Sequence, residues 1–329
     1  MIMLETIEKL ANRILEEDPD PVVRFRLLRD VLKVPPNEKT IVRAKKEMLK
    51  NRWVSELERQ QEKDGGWGRF HSSDSRTKRE IKTTEIAVDR GLALGLDVTR
   101  PIFQKTVGYL SLLLDGSIEF PDPPERNDRW LAGKQLFVAA TLAKLQPNLS
   151  VLDPTWQVWV DIVTRTFASG RYDAEAEVQA HTELTGASVR DSYLVLNNTY
   201  ALALLGSRAS KLPSNVEKTL ATWIWQEKKV IGYLGISLKD SPIHFSATAL
   251  DHWFTSLELL SSFPSSLKFA KTNTDWLWTQ RNKEGLWDFG HISGPSRHFP
   301  LSENWRKKQD RIYDYSTRVL TLLRSYHPT

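Results

Sequence analysis

Two pairs of carboxylates stand out in this 329-residue chain. Glu85 and Asp89 lie four apart, and so do Asp310 and Asp314, a spacing that puts each pair on one face of a helix. Such pairs can share general acid and base work, sugar hydrolysis included. They can equally be solvated charges or partners of Arg90, Arg311 and Arg318, because ion-pair networks imitate sites. A second polar group is Asp191, Tyr193, Asn197 and Asn198. The two asparagines interrupt an apolar run, and buried amides need partners, either from neighbours or from a ligand. His244, Asp251 and His252 follow no metal-ligand spacing, so they are expected to cap helices or face solvent, with His244 also a ligand-contact candidate. Trp130, Trp253 and Trp305 can line a cavity, as can Tyr315 beside Asp314. There they would offer π faces to a sugar or a carbocation. For Trp67 and Trp287, packing between repeats is the favoured role.

Cations precede several of these segments: Arg76, Lys78 and Arg79; Arg126 and Arg129; Arg190; Arg306, Lys307 and Lys308. If helices begin along one rim, their positive dipole ends converge there and favour an anionic group on the ligand. Interleaved Glu125, Asp128 and Glu303 argue for ordinary mixed loop charge instead. The absences also matter. No P-loop, strand-linked GxGxxG, HExxH or GxSxG occurs, so nucleotide-dependent and serine-hydrolase chemistry are not expected, and no cofactor is. No cysteine is present, which excludes disulfides, thiolate zinc sites and cysteine nucleophiles.

The elements that must position these groups form a repeat. Hydrophobic residues at 40% and charged residues at 26% describe a globular chain rather than a disordered one. The net charge of +5 is spread without a basic run, so no nucleic-acid partner is expected. No apolar stretch is long enough to span a membrane, and the N terminus does not read as a signal peptide, so a cytoplasmic protein is expected. Turns carrying Gly and an aromatic recur at Trp67, Phe120, Tyr172, Tyr233 and Trp287. Before them lie aromatic, helix-like stretches at 46–61, 101–114, 154–169, 214–227 and 266–281. After them come second helices at 79–95, 128–145, 188–205, 244–262 and 310–326, rich in Leu and Ala. A further helix pair occupies 1–36, broken at Asp18-Pro19-Asp20-Pro21. The prediction is an all-α single domain over 1–329 of about six helical hairpins. Closing them into a ring removes the apolar ends that an open solenoid must cap. The long segment 286–309 is a candidate lid.

Leu57-x3-Gln61-x5-Trp67 resembles the QW repeat of squalene-hopene cyclases and related prenyltransferase-like proteins. Weaker copies run from Trp276 and Gln280 to Trp287, with one extra residue, and from Gln226 to Tyr233. The resemblance implies an α/α toroid with inner and outer helix rings, whose functional groups line a central cavity. It covers roughly residues 20 to 326. Neither of the family's two chemistries is spelled here. The DxDD acid of the cyclases is absent, its nearest counterpart being Asp310 to Thr317, and the zinc-binding cysteine of the prenyltransferases has no equivalent. The resemblance is strongest to short family members of unassigned function.

Three functions follow. The first is a cyclase-like toroid that binds or transforms an isoprenoid or other apolar small molecule, with candidate acids Asp314, Asp310, Glu85 and Asp89. Its candidate ligand contacts are Trp130, Asp191, Tyr193, Asn197, His244, Trp253, Trp305, Arg306 and Tyr315. The second is a non-catalytic scaffold with a filled centre. The third is a carbohydrate-active barrel with two spaced carboxylates.

Overall fold

A computed structural model describes residues 2–74, 76–188, 193–239, 246–290 and 300–327. It is all-α, with no strand among the described residues. The helices are α1 (Ile2–Glu16), α2 (Pro21–Arg26), α3 (Lys39–Met48), α4 (Arg52–Gln60), α5 (Thr84–Leu94), α6 (Pro101–Leu114) and α7 (Trp130–Leu145). They continue as α8 (Asp153–Thr166), α9 (Ala174–Thr185), α10 (Thr199–Gly206), α11 (Ser214–Trp223), α12 (Ala247–Leu260), α13 (Lys271–Thr279) and α14 (Lys308–Tyr326). Short π-helical turns extend α2 over Leu27–Val31 and α11 over Ile224–Lys228.

The helices differ from the expected stretches at several places, three of them with a clear local cause. The stretch 46–61 is not one helix, because Asn51 starts α4 anew, its side chain accepting from Trp53 N at 2.9 Å. The connection after Tyr172 holds an unexpected helix, α9. Asp173 caps its start by accepting from Glu175 N and Ala176 N, and Gly186 ends it in the left-handed region at φ 68°. The second helix expected over 188–205 begins only at Thr199. Asn198 turns its side chain back to accept from Tyr200 N and Ala201 N at 2.8 Å each, so this asparagine is a helix cap.

The two clearest repeat turns are built alike. Trp67 is buried, its indole N–H donates to Leu57 O at 3.0 Å, and its backbone N–H donates to Thr84 Oγ1 at 2.9 Å. Trp287 is buried the same way, donating to Leu277 O at 2.6 Å and to Ser316 Oγ at 3.0 Å. Trp67 thereby ties the end of α4 to the start of α5, and Trp287 ties the end of α13 to the middle of α14. Gln61 adds a third tie. Its Nε2 donates to Gly65 O, Ile102 O and Thr106 Oγ1, crossing into α6. Gln280, displaced by the extra residue, reaches only Thr279 Oγ1.

The long second helices are neighbours in chain order. Lys144 of α7 pairs with Asp89 of α5 at 2.6 Å, α7 packs on α10, and α10 packs on α12. Arg318 of α14 pairs with Asp251 and Glu258 of α12 at 2.7 and 2.6 Å. α14 lies against α1 and α2, and Arg29, just after α2, donates to Gly95 O at the end of α5 at 2.8 Å.

Candidate functional site

Between these helices lies a cavity of about 500 Å³. Its walls come from the α2 end (Arg26), α5 (Glu85, Asp89, Leu92), α7 (Lys144), α10 (Thr199, Tyr200, Ala203), α12 (Thr255, Glu258, Leu259) and α14 (Thr317, Arg318, Leu322). Leu301 closes one side. The volume falls within the range of small-molecule sites.

Every cation facing the cavity is matched by a carboxylate. Lys144 holds Asp89, Arg26 holds Asp30, and Arg318 holds Asp251 and Glu258. Burial opposes the charge on Arg318, but the Glu258 and Asp251 carboxylates overcome it and keep the guanidinium protonated. Between these pairs the lining is aliphatic or hydroxylic. Thr199 Oγ1 and Thr321 Oγ1, both in the wall, are buried without a hydrogen-bond partner. A surface of paired charges, methyls and hydroxyls suits a neutral, largely apolar molecule carrying a polar oxygen.

At one end of the cavity, two wall residues meet a third that the sequence did not single out. His71 Nδ1 lies 2.9 Å from Glu85 Oε2 and 3.1 Å from Tyr200 OH. Local structure explains the placement. Thr83 caps α5 by accepting from Ile86 N at 3.3 Å, which puts Glu85 in the first turn, where the helix dipole favours a carboxylate. Asn198 does the same for Tyr200 in α10. The buried Asp122 carboxylate holds the loop carrying His71, accepting from Phe70 N, His71 N and Ser72 N at 2.6, 2.9 and 2.6 Å. The His71 ring then stacks on Phe137 at 4.8 Å. Burial pushes the Glu85 carboxyl up. The hydrogen bond from His71 and the charge of Lys144 act against it, and so do the charge of His71 and the hydrogen bond from Tyr200. The net effect holds the carboxyl below its ordinary range. Glu85 is therefore ionised at neutral pH. A carboxylate beside Nδ1 fixes the tautomer with the proton on that nitrogen.

The other sequence candidates are dispersed. Asp89 faces the cavity but is bound to Lys144. Asp314 is fully buried behind Leu301, accepting from Leu301 N at 2.8 Å and Ser302 N at 3.2 Å and from Ser302 Oγ at 2.5 Å. Asp310 is half-buried one turn before it, and burial pushes its carboxyl up. Asp314 clamps a loop, and neither carboxylate lines the cavity. Trp253 sits in the core against Phe254 and Trp276 at 5.4 and 5.3 Å. Trp130 packs edge-on to Phe120 at 5.4 Å. Neither ring is part of this cavity's wall: Trp253 packs between α12 and α13, and Trp130 against the loop before α7. Asn197 donates to Val230 O at 3.1 Å, which ties two loops. Tyr193 donates to Glu125 at 3.4 Å under the Arg129 guanidinium. Trp305 and Arg306 line a separate groove with Arg52 and Trp53, and Tyr315 stacks behind Trp305 at 5.5 Å. Asp191, His244 and Arg190 lie outside the described residues, as do 291–299 of the expected lid. The rest of that segment is fixed: Leu301 and Ser302 by Asp314, and Glu303 N by Asp20 at 3.1 Å. Of the expected cationic rim, Arg76 pairs with Asp74 and Arg79 with Glu62, so both charges are locally compensated.

No spacing pattern announces His71 and Tyr200. They are 129 residues apart and meet only in the folded chain. The one usable signal was local: His71 follows the repeat tryptophan by four residues, in the turn leading into the helix that carries Glu85.

A scan against protein-family models matched none, and searches of curated proteins and of solved structures found no match.

Proposed function

We propose that this chain is an α/α toroid that holds a neutral, oxygen-bearing apolar molecule, of the isoprenoid class, in its central cavity. The observation that carries this reading is the composition of the cavity wall: each cation is paired with a carboxylate, with aliphatic and hydroxyl groups between. The order of helix neighbours and the paired repeat turns support the ring. A diphosphate fits less well, since Arg26, Lys144 and Arg318 already carry carboxylate partners, and displacing one would leave a charge uncompensated. A scaffold with a plugged centre fits less well too, given the open volume.

Calorimetric titration with farnesol and with farnesyl diphosphate tests this directly. The alcohol is expected to bind and the diphosphate not to. Ala203 faces the cavity from α10, so Ala203→Trp fills the space from the wall and is expected to abolish binding while leaving the helical circular dichroism unchanged. Binding that survives Ala203→Trp, or a preference for the diphosphate, overturns the reading.

A further inference from the structure

We propose that Glu85, Tyr200 and His71 form an acid–base centre in the cavity wall that moves a proton along a neutral, carbonyl-bearing apolar molecule. This rests on the ligand-binding reading of the cavity. Glu85 and Tyr200 face the cavity, so they are the catalytic pair. His71 touches both from behind and is a positioning residue.

The chemistry needs nothing beyond the ligand. The Glu85 carboxylate removes a C–H proton from the carbon next to the carbonyl. The electron pair of that bond moves to the carbonyl oxygen, and the resulting enolate accepts a hydrogen bond from the Tyr200 hydroxyl. The carboxylic acid then returns the same proton to a different carbon of the conjugated system. The product is an isomer, and the carboxylate is regenerated.

The surroundings suit this cycle. Glu85 is buried, so its basicity is not quenched by bulk water, yet it is ionised. Four groups face it: His71 from the loop after Trp67, Lys144 from α7, Tyr200 from α10, and Asp89 one turn further along α5 and already held by Lys144. Removing His71 takes away a hydrogen bond and a charge that hold the carboxylate ionised, while burial stays. The ionisation must then move upward. A His71 that only packed against Phe137 would leave the ionisation of Glu85 unmoved, so this shift identifies the coupling.

The test uses 5-nitrobenzisoxazole, a small neutral probe that opens to a coloured phenolate when a base removes its ring proton. The full chain is expected to turn the probe over with saturation and with a rate that rises with pH to a plateau. Glu85→Gln is expected to slow it at least about 100-fold. His71→Phe is expected to retain turnover with the midpoint of its pH–rate profile moved up. A Glu85→Gln variant as fast as the wild type, or a His71→Phe midpoint unmoved or moved down, overturns the centre. Probe occupancy is followed in parallel by saturation-transfer NMR. Occupancy without Glu85-dependent turnover sinks the acid–base centre and leaves the cavity reading standing. Without occupancy the cavity reading fails instead, and the nitrogen-15 shifts of the His71 ring decide the centre alone. A proton resident on Nδ1 in the wild type and redistributed in Glu85→Gln supports it, and identical shifts in both overturn it.

Discussion

Asp314 offers the sharpest measurement, because two physical effects oppose each other on one carboxyl. Its complete burial pushes the pKa up, and the Ser302 hydroxyl and the Ser302 and Leu301 N–H donors pull it down. The Asp20 carboxylate adds to the rise, and the outcome is about 7, against an ordinary 3.8. The folded state thus holds this proton more tightly than the unfolded chain does. The sign follows: the stability linked to the proton is fully present below pH 3.8 and is lost as pH rises toward 7. At 1.36 kcal/mol per unit, the full swing is on the order of 4 kcal/mol. Between about pH 5 and about pH 7.5 the loss is roughly 2.5 kcal/mol. Asp314→Asn removes the titration while keeping an acceptor for Leu301 N and a donor for Ser302 Oγ. Urea unfolding of both proteins across that range isolates the effect, since every other titrating group cancels in the difference. The wild type is expected to lose about 2.5 kcal/mol relative to Asp314→Asn over the window. A flat difference, or one in which the wild type gains with pH, refutes the reasoning. It would mean that the donors from Leu301 and Ser302 outweigh burial and that the carboxylate is native at all these pH values.

His181 gives the opposite sign. It is fully buried, both ring nitrogens lack hydrogen-bond partners, and burial lowers its pKa to about 4 from 6.5. It folds neutral, so stability present above pH 6.5 is lost as pH falls toward 4, by on the order of 3 kcal/mol, and His181→Leu should remove that loss in acid urea titrations. The two repeat turns should differ in thermal melts. Trp67→Ala and Trp287→Ala each cost roughly 3–5 kcal/mol, Gln61→Ala about 1–3 kcal/mol through its stranded carbonyl and hydroxyl partners, and Gln280→Ala within about 0.5 kcal/mol. Gly65→Ala places a Cβ 2.5 Å from Lys105 O at a φ of 102°, so the variant should melt well below the wild type, by more than the roughly 1 kcal/mol of the left-handed conformation alone.

Much of the architecture is legible along the chain because it is local. The apolar period marks α6, α7 and α14 to within two residues. The Gly-Trp turns mark where one helix hands over to the next, and Trp67 and Trp287 make the inter-helix ties that their position suggests. The misses have equally local causes. α9 buries a narrow face, in which Glu177 and His181 stand where apolar residues would normally reveal a helix. Asn197-Asn198 interrupts an apolar run because the helix has not yet begun there, and a cap is polar by necessity.

The site was legible only in its helix-borne half. Glu85 and Asp89 are a period-four pair, and both do face the cavity. Asp310 and Asp314 show the same period and do not, because α14 turns Asp314 toward the loop ending at Glu303. Spacing along one helix says which residues share a face, and it is silent on what that face meets. Glu85 gains its chemical identity from His71 and Tyr200, neither of which belongs to its helix. Asp314, by contrast, meets backbone donors, a serine hydroxyl and a second carboxylate, with the buried Arg90 near enough to feel its charge, and it serves as a clamp. Two carboxylates with the same sequence signature are thus shifted in opposite directions. Glu85 is held down by a histidine, a lysine and a tyrosine, and Asp314 is pushed up by burial that its donors do not offset. That contrast makes a variant of one the natural control for the other. Asp314→Asn should change the pH dependence of stability and leave that of probe turnover unchanged, because Asp314 lies behind Leu301, outside the cavity wall. Glu85→Gln should abolish turnover whatever it does to stability. If Asp314→Asn shifted the turnover profile as well, the two carboxylates would share one proton network through the Leu301 wall. The division between clamp and acid–base centre would then have to be redrawn.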